Sequence, residues 1–299
     1  MVYSIGIIGV GVLGKAICEC FSVIKSIDIK CYDKYKIDNK INKDIYVSKI
    51  EDLYNCNIIF LCLPTEYDII KKEYNKIEID YVFYELALLN YKGIILLKST
   101  VEPKTTYNLS ILYPQLNIIH NPEFLTARTA VNDFINQKHI VLGIPHALVN
   151  TSHNSSSNSL DTEVKTGELE GLKPSHIYIK TFYETYFKNA EISICSSDES
   201  ESMKLFCNSF YATKIQYFTE VKLLCDKMNI EYNNVINLMI KNGWINPMHT
   251  TIPGHDGQLS FGGTCFPKDI NALGALCNIF KSPNEVIQAV INENNIMRA

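Results

Sequence analysis

The chain has 299 residues, of which 46% are hydrophobic and 20% charged, a balance that predicts an ordinary globular protein of two domains. Its net charge of −4 gives no basic field, so we expect no binding to nucleic acid or to an acidic membrane surface. No apolar run reaches the roughly 18 residues of a membrane span, and the start, MVYSIGIIGVG, lacks the charged beginning of a secretion signal, so a cytoplasmic protein is expected.

The N-terminal half alternates short β-rich runs with helical segments. This alternation predicts a Rossmann-like α/β domain over residues 1–190, with a doubly wound parallel sheet covered by helices. The runs are almost continuously apolar, as suits strands that are buried on both faces. The predicted strands cover residues 4–9, 27–33, 57–64, 93–100, 116–120 and 139–143.

Three glycines follow the first strand in the segment GVGVLG, residues 9–14, which leads into a helical pattern. In this spacing the first glycine makes a tight turn, the second lets backbone amides approach a pyrophosphate, and the third lets the helix pack on the strand. Asp33 ends the next strand, where a carboxylate accepts hydrogen bonds from the adenosine ribose and repels a 2′-phosphate. NAD is therefore favoured over NADP, although Lys34 and Lys36 weaken that preference. The predicted cofactor-binding residues are Gly9, Gly11, Val12, Leu13, Gly14, Asp33 and Thr100.

Polar residues also end two later strands. The segment KSTVEPKTT, residues 98–106, brings Thr100 to the carboxyl edge of the sheet, where open α/β sheets bind ligands. The segment HNPEFLTARTA, residues 120–130, brings Glu123 to that edge, although a glutamate after a proline is as often a simple helix-start residue.

A polar stretch interrupts the chain from about residue 150 to 171, where Ser and Asn dominate and hydrophobic residues almost vanish. We interpret it as a loop insertion that carries no chemistry. Glycosylation sequons at Asn108, Asn150 and Asn154 mean little in a cytoplasmic chain.

Helical periodicity begins at about residue 176 and predicts a helical domain over residues 191–299. Residues 198–229 contain neither Gly nor Pro and predict a single helix of nearly nine turns at about 3.6 residues each. Shorter helices are predicted over 232–242, over 283–297 and after Pro267.

Cys265 lies in the segment FGGTCFPKD, residues 261–269. Pro267 favours a helix start, because its missing N–H would have no partner there. The positive end of that helix and the nearby Lys268 would lower the pKa of the thiol and populate the thiolate. Asp269 follows four residues later and would face the same cavity. An arbitrary cysteine is usually a small buried hydrophobe, but the glycines, the proline and the charged pair favour a nucleophile here.

A second pair of polar residues lies on the long helix. Lys204 and Asn208 are four residues apart and project from one face at about 6 Å from each other. An ammonium beside an amide can stabilise an oxyanion and hold a water. Such a pair taken alone is more often a solvated surface contact.

The ten cysteines include no CxxC pair. Cys31, Cys56 and Cys62 lie in apolar strand-like runs, so most are expected to be buried free thiols rather than disulfides. The seven histidines show no metal-ligand spacing, and no metal site is predicted.

These segments, taken in order, resemble the UDP-glucose/GDP-mannose dehydrogenase family. The resemblance covers most of the chain outside residues 150–190 and is far more specific than a glycine fingerprint. It rests on GVGVLG, Asp33, FLCLPT, KSTVEP, HNPEFL, ESMKLFCNSFYATKIQYFTE and FGGTCFPKD.

The resemblance implies a four-electron oxidation of the C6 alcohol of a nucleotide sugar with two NAD, and overall similarity favours UDP-glucose. It implies that Cys265 is the nucleophile and that Lys204, Asn208 and Asp269 support an oxyanion and a water. Thr100 matches a water-binding position and Glu123 a substrate-loop position. The implied substrate-binding residues are Glu123, Phe124, Leu125, Lys204, Asn208, Phe261 and Gly262. It also implies a homodimer through the long helix, with Leu205, Phe206, Phe210, Tyr217 and Val221 available for a seam. Burial within a single domain could use the same residues.

The sequence departs from the family pattern in three places. Ala127 stands where members carry a second acidic residue, and residues 245–260 lack an arginine often found there. The sequence stops at Ala299, whereas members continue into a third domain that binds the nucleotide of the sugar substrate. Two alternatives therefore stay open: a two-electron hydroxyacid dehydrogenase of a related group, and a non-catalytic NAD-binding dimer that acts as a regulator.

Overall fold

The computed structural model describes residues 3–35, 42–145 and 172–299. The predicted insertion at 150–171, the sequons at Asn150 and Asn154, and Lys36 lie outside these residues. The chain divides into two compact units, which we call unit 1 and unit 2. Unit 1 comprises Met1–Thr65 and Lys76–Ser202, and unit 2 comprises Glu66–Asn75 and Met203–Ala299.

The described residues form β-strands and α-helices, which are numbered in chain order. The strands are β1 (Tyr3–Ile8), β2 (Ile27–Tyr32), β3 (Ile58–Leu61), β4 (Tyr67–Asp68), β5 (Glu73–Tyr74), β6 (Ile94–Leu97), β7 (Asn117–His120), β8 (His139–Ile144) and β9 (Glu191–Ser196). The helices are α1 (Val12–Ser22), α2 (Ile77–Leu88), α3 (Thr105–Leu112), α4 (Ala130–Ile135), α5 (Pro174–Tyr186), α6 (Ser197–Lys227), α7 (Tyr232–Lys241), α8 (Phe266–Ile279) and α9 (Glu285–Met297).

Unit 1 is built on a seven-stranded sheet in the order β2-β1-β3-β6-β7-β8-β9. Neighbouring strands are parallel except for β7 and β8, which pair antiparallel at His120 and Gly143. The predicted Rossmann-like α/β architecture is confirmed, with one antiparallel junction that the apolar runs did not reveal.

The apolar runs of the strands are explained by two cores, one on each face of the sheet. In β3, Ile58 and Phe60 face the core that α1, α4 and α5 cover, whereas Ile59 and Leu61 face the core beneath α2 and α3. Successive side chains of a strand point to opposite faces. Every side chain of a strand that is covered on both faces is therefore buried, which favours apolar residues at successive positions.

Strand β9 corrects the prediction that the chain is helical from residue 191. It pairs in parallel with β8, with Glu191 opposite His139. Ile192 and Ile194 pack against the core of unit 1. The alternation in EISIC has the period of a strand, but it is short and lies between two long helical patterns that obscured it.

Unit 2 is helical, as predicted, and contains α7, α8, α9 and most of α6. The long helix predicted over 198–229 runs over Ser197–Lys227. The antiparallel hairpin of β4 and β5 also belongs to unit 2, although more than a hundred residues separate it in the sequence from the rest of that unit. No helix in the described part of the chain is long and apolar enough to cross a membrane.

Candidate active site

The glycine segment of unit 1 forms the turn that its spacing predicts. Gly9 has a φ of 88°, and a Cβ there would lie 2.6 Å from the carbonyl oxygen of Cys62. A Cβ on Gly14 would lie 2.0 Å from the carbonyl oxygen of Gly9. A Cβ on Gly11 would meet no atom within 4 Å. The first and third glycines are thus required by the protein itself, whereas the second leaves open space at the N-terminus of α1.

Asp33 lies beside this turn and is held by backbone donors. Its Oδ2 accepts from the N–H of Val10 at 2.7 Å, and its Oδ1 accepts from the N–H of Tyr35 at 2.9 Å. The open helix terminus and the oriented carboxylate fit the pyrophosphate and the ribose of a dinucleotide. Between the glycines, Val12 is exposed and Leu13 packs against the core.

The other predicted residues of unit 1 lie just beyond the carboxyl ends of β6 and β7. The carbonyl oxygen of Thr100 accepts from the hydroxyl of Thr65 at 2.7 Å. Glu123 is half-buried. The ring of Phe124 is stacked on His139 at 6.4 Å between centroids, and Leu125 packs against the core. The side chain of Leu125 is therefore less open to a ligand than its neighbours.

Cys265 of unit 2 is exposed and caps the N-terminus of α8. Its carbonyl oxygen accepts the N–H of Asp269 at 3.0 Å, which is the first bond of the helix. Gly263, two residues earlier, has a φ of 78° and open space at its Cβ position. The thiol is therefore accessible and lies where the partial positive charge of the helix end is strongest.

The two polar residues of α6 are buried rather than solvated. Lys204 is 4% exposed and Asn208 is 6% exposed. The Nδ2 of Asn208 donates to the Oδ2 of Asp269 at 2.6 Å. This excludes the surface-pair interpretation, and it brings together two of the residues that the sequence singled out.

Asp269 is fully buried and ion-paired, contrary to the expectation that it faces a cavity directly. Its Oδ1 accepts from the hydroxyl of Tyr74 at 2.6 Å and from the ammonium of Lys268. A buried carboxylate needs such partners, because an unpaired charge in the interior is costly. Lys268, which the sequence placed near the thiol, is instead engaged by Asp269 and lies 4.5 Å from the centroid of the Tyr74 ring.

The loop before the thiol is anchored by the last helix. Phe261, predicted to touch substrate, places its side chain in the core with Ala212 and Val290, so only its backbone is available. The Nε of Arg298 donates to the carbonyl oxygen of Leu259 at 2.9 Å. A Cβ on Gly262 would lie 2.2 Å from the Nη1 of Arg298, so this position admits only glycine unless the arginine moves.

Comparison with known proteins decides the family. The profile of the UDP-glucose/GDP-mannose dehydrogenase NAD-binding domain matches residues 42–152, and that of the central domain of the same family matches residues 198–296. Together the two matches span more than half of the chain. The chain belongs to the UDP-glucose/GDP-mannose dehydrogenase family.

Individual members of the family are similar to most of this chain. A UDP-glucose 6-dehydrogenase of Campylobacter jejuni is 26% identical over 99% of the chain and 72% of its own length. One of Rickettsia bellii is 27% identical over 82% of the chain, which spans 50% of that relative. The solved structure of a UDP-glucose dehydrogenase from Pyrobaculum islandicum superposes with a TM-score of 0.78 at 18% identity, over 99% of the chain and 68% of its own. The chain thus spans between half and about seven tenths of these relatives.

Membership in the UDP-glucose/GDP-mannose dehydrogenase family makes NAD the cofactor of unit 1, which carries the family's NAD-binding domain. The glycine turn and Asp33 fit that cofactor. Among the described residues, no cluster of His, Cys, Asp or Glu has the arrangement of a metal site.

Sequence reasoning missed Tyr74, although its hydroxyl is a partner of Asp269. Tyr74 is 1% exposed and comes from the hairpin of β4 and β5, which packs on α8. The segment EYDIIKKEY, residues 66–74, has no regular apolar alternation, so it gives no local signal of a strand or of a contact across 195 residues.

Sequence reasoning also missed Glu201, one turn before Lys204. This glutamate is fully buried. Its Oε1 accepts from both the N–H and the hydroxyl of Thr106, at 2.8 and 2.6 Å. Burial raises its pKa to about 8, against the opposing effect of these hydrogen bonds.

Proposed function

We propose that this chain carries the NAD-dependent oxidation of the C6 alcohol of a nucleotide sugar to the acid, with UDP-glucose as the favoured substrate. The family match and the names of its relatives support the reaction class. The observation that carries the proposal is an exposed thiol at the N-terminus of α8, one helical turn before the buried Asp269 that binds Asn208.

The second oxidation, from aldehyde to acid, requires a nucleophile, and a thiol can serve as one. The alcohol first loses a hydride from C6 and releases its hydroxyl proton to solvent, and so becomes an aldehyde. The Cys265 thiolate then adds to C6, so a C–S bond forms and the carbonyl oxygen becomes an alkoxide. Loss of the second hydride restores the carbonyl and gives a thioester. Water adds to that carbonyl, the C–S bond breaks, and the thiolate leaves as the acid forms. NAD, when bound, is the hydride acceptor of each oxidation.

The buried groups of unit 2 suit the charge that develops on the substrate oxygen. The hydrogen bond to Asp269 fixes the orientation of the Asn208 amide and leaves its second N–H and its oxygen for a substrate or a water. Lys204 lies one turn earlier on α6 and supplies a positive charge in a water-poor environment. Donors in such an environment stabilise an oxyanion more than they do in water. Asp269 acts in this proposal as the residue that orients Asn208, Tyr74 and Lys268.

The roles of the unit 1 residues are carried over from the family pattern. Thr100 is proposed to bind a water, and Glu123 to belong to the substrate loop with Phe124 and Leu125. Ala127 has no side chain that can accept a proton. The proton of the hydrolytic water must therefore go elsewhere, and the Cys265 thiolate that leaves as the C–S bond breaks is our candidate acceptor.

The test is a count of NADH formed per UDP-glucose consumed by the purified full chain. We expect two. Cys265→Ser is expected to abolish the acid product, because a serine alkoxide leaves poorly and does not form at neutral pH. Cys277→Ser, on the same helix α8, removes a thiol outside the site and is expected to keep both the count and the rate.

The other outcomes separate the alternatives. One NADH per substrate with a ketone or aldehyde product indicates a two-electron dehydrogenase and sinks the proposed reaction. Tight NAD binding without turnover of any nucleotide sugar indicates a binding protein instead. An unchanged acid yield from Cys265→Ser contradicts the thioester route even when the count is two.

We also propose that the chain forms a homodimer through α6. A stripe of exposed apolar side chains follows one face of this helix and its end, because successive members are four or seven residues apart, which is one or two helical turns. These side chains are Phe206, Phe210, Tyr217, Leu224 and Met228. Leu205 does not belong to the stripe, because it is fully buried with Tyr74 and Ala272. Val221 likewise packs against the core formed with α7.

A further inference from the structure

Four side chains of unit 1 form a cluster beside the turn that follows Asp33. Lys34 and Tyr35 continue the chain from the carboxylate, and the N–H of Tyr35 donates to it. Glu78 and Tyr81 come from the first turns of α2. Neither the glycine fingerprint nor the thiol chemistry explains why these four residues meet.

Glu78 is the centre of this cluster. The ammonium of Lys34 donates to both carboxylate oxygens of Glu78, at 3.0 and 3.3 Å, and the hydroxyl of Tyr35 donates to its Oε1 at 3.1 Å. The same ammonium lies 5.2 Å from the centroid of the Tyr35 ring and 5.6 Å from that of Tyr81. The hydrogen bond from Lys34 lowers the pKa of Glu78, so the carboxylate is ionised at neutral pH and neutralises its partner.

The position of Lys34 connects this ion pair to the choice between NAD and NADP. In dinucleotide-binding folds, an acidic residue after the second strand binds the ribose hydroxyls of NAD, whereas a cation in the same turn accommodates the 2′-phosphate of NADP. The turn after β2 contains both residue types, Asp33 and Lys34, side by side. The cation is held by a carboxylate from another element, and its side chain is only 47% exposed.

We propose that Glu78 is a cofactor-selectivity residue, which holds the Lys34 ammonium in an ion pair and so prevents it from receiving a 2′-phosphate. The inference rests on the proposed NAD-dependent function and adds a second determinant to Asp33. The selectivity for NAD then depends on two carboxylates: Asp33 repels the phosphate, and Glu78 occupies the cation that would attract it.

The test measures dissociation constants of NAD and NADP for the full chain, by competition against the fluorescence of bound NADH, and requires no turnover. Glu78→Gln keeps the shape of the side chain and removes its charge. We expect NADP to bind about three- to fivefold more tightly to this variant, the range of an exposed ion pair, while the NAD constant changes less than twofold. The gain is expected to shrink in 0.5 M salt, because exposed charges are screened.

Two further variants make the result specific. Asp80→Asn removes a carboxylate from the same first turn of α2 and is expected to leave NADP binding unchanged. Lys34→Met added to Glu78→Gln is expected to return NADP binding to its original strength. The inference is overturned when Glu78→Gln does not tighten NADP binding, when Asp80→Asn tightens it equally, or when the double variant keeps the gain. A wild-type chain that binds neither nucleotide defeats the proposed function itself. If the wild-type chain binds NAD, but Glu78→Gln has the same ratio of NADP to NAD dissociation constants as the wild type, only this inference is defeated.

Discussion

At the scale of single residues, the Asp269 carboxylate shows how a buried charge can order a site. Its partners arrive from three places in the sequence: Tyr74 from the hairpin, Asn208 from α6 and Lys268 from its own helix. Each hydrogen bond satisfies a lone pair that burial would otherwise leave unpaired. The same bonds fix the orientation of the Asn208 amide. Burial and preorganisation are therefore achieved by one set of contacts.

Glu201 allows a prediction about the pH dependence of stability. A glutamate in an unfolded chain has a pKa of about 4.3, whereas burial raises the pKa of Glu201 to about 8 in the fold. Between these values the folded protein holds a proton that the unfolded chain has released. Stability is thus fully present below the lower value and is lost as pH rises through the upper one. Glu201→Gln is expected to flatten this fall, which amounts to roughly 3 to 4 kcal/mol between pH 5 and pH 8.

Urea unfolding at the two pH values measures the difference. The amide keeps an oxygen that accepts from Thr106 and does not titrate, so the variant is expected to fold. Asp226→Asn, an exposed carboxylate later on α6, serves as control and is expected to follow the wild type. If the free energy of unfolding changes equally with pH in the wild-type chain and in Glu201→Gln, the raised pKa of Glu201 is contradicted.

At the scale of elements, α9 and Arg298, which caps its C-terminus, are predicted to hold the loop before the thiol. Besides its bond to Leu259, Arg298 donates from Nη1 to Asp256 at 2.7 Å and from Nη2 to the carbonyl oxygen of Ser260 at 2.9 Å. The Nδ2 of Asn294 donates to the carbonyl oxygen of Phe261 at 2.7 Å. These bonds tie the loop to a helix that follows it by more than twenty residues.

Arg298→Met is expected to destabilise unit 2 by about 2 kcal/mol, since it leaves the part-buried carbonyl groups of Leu259 and Ser260 without their donors. Amides 259–262 are expected to exchange hydrogen faster in the variant, as hydrogen-exchange mass spectrometry would measure. Arg128→Met, which changes the chain's other arginine, is the control and is expected to leave exchange in this loop unchanged. Unaltered exchange in Arg298→Met would show that other contacts hold the loop.

At the scale of the whole molecule, the exposed stripe of α6 predicts the oligomeric state. Phe210 is 61% exposed, so replacing it with lysine costs the isolated chain little but places a charge in an apolar seam. Phe210→Lys is expected to turn a dimer into a monomer, as multi-angle light scattering after size exclusion would detect. Leu238→Lys on α7, 69% exposed, is the matched control and is expected to remain dimeric. A monomeric wild-type chain at tens of micromolar, or a dimeric Phe210→Lys, contradicts the proposal.

The sequence by itself determined those features in which neighbouring residues decide the structure. The glycine turn with Asp33, the apolar strands, the length of α6 and the helix start at Cys265 all follow from spacing, because backbone freedom, capping and periodicity act over a few residues. The ion pair of Lys34 with Glu78 lies beyond that range, as does the anchoring of Gly262 by Arg298.

Only the tertiary structure decided which distant segments meet. The hairpin that brings Tyr74 to Asp269 is too short to be stable alone, and it exists because α8 covers it. Strand β9 is a strand because β8 offers it a parallel edge. Leu205 and Phe206 are adjacent apolar residues, yet one is fully buried and the other 49% exposed. Packing makes that distinction, because burial depends on what lies opposite a side chain rather than on the residues beside it in the chain.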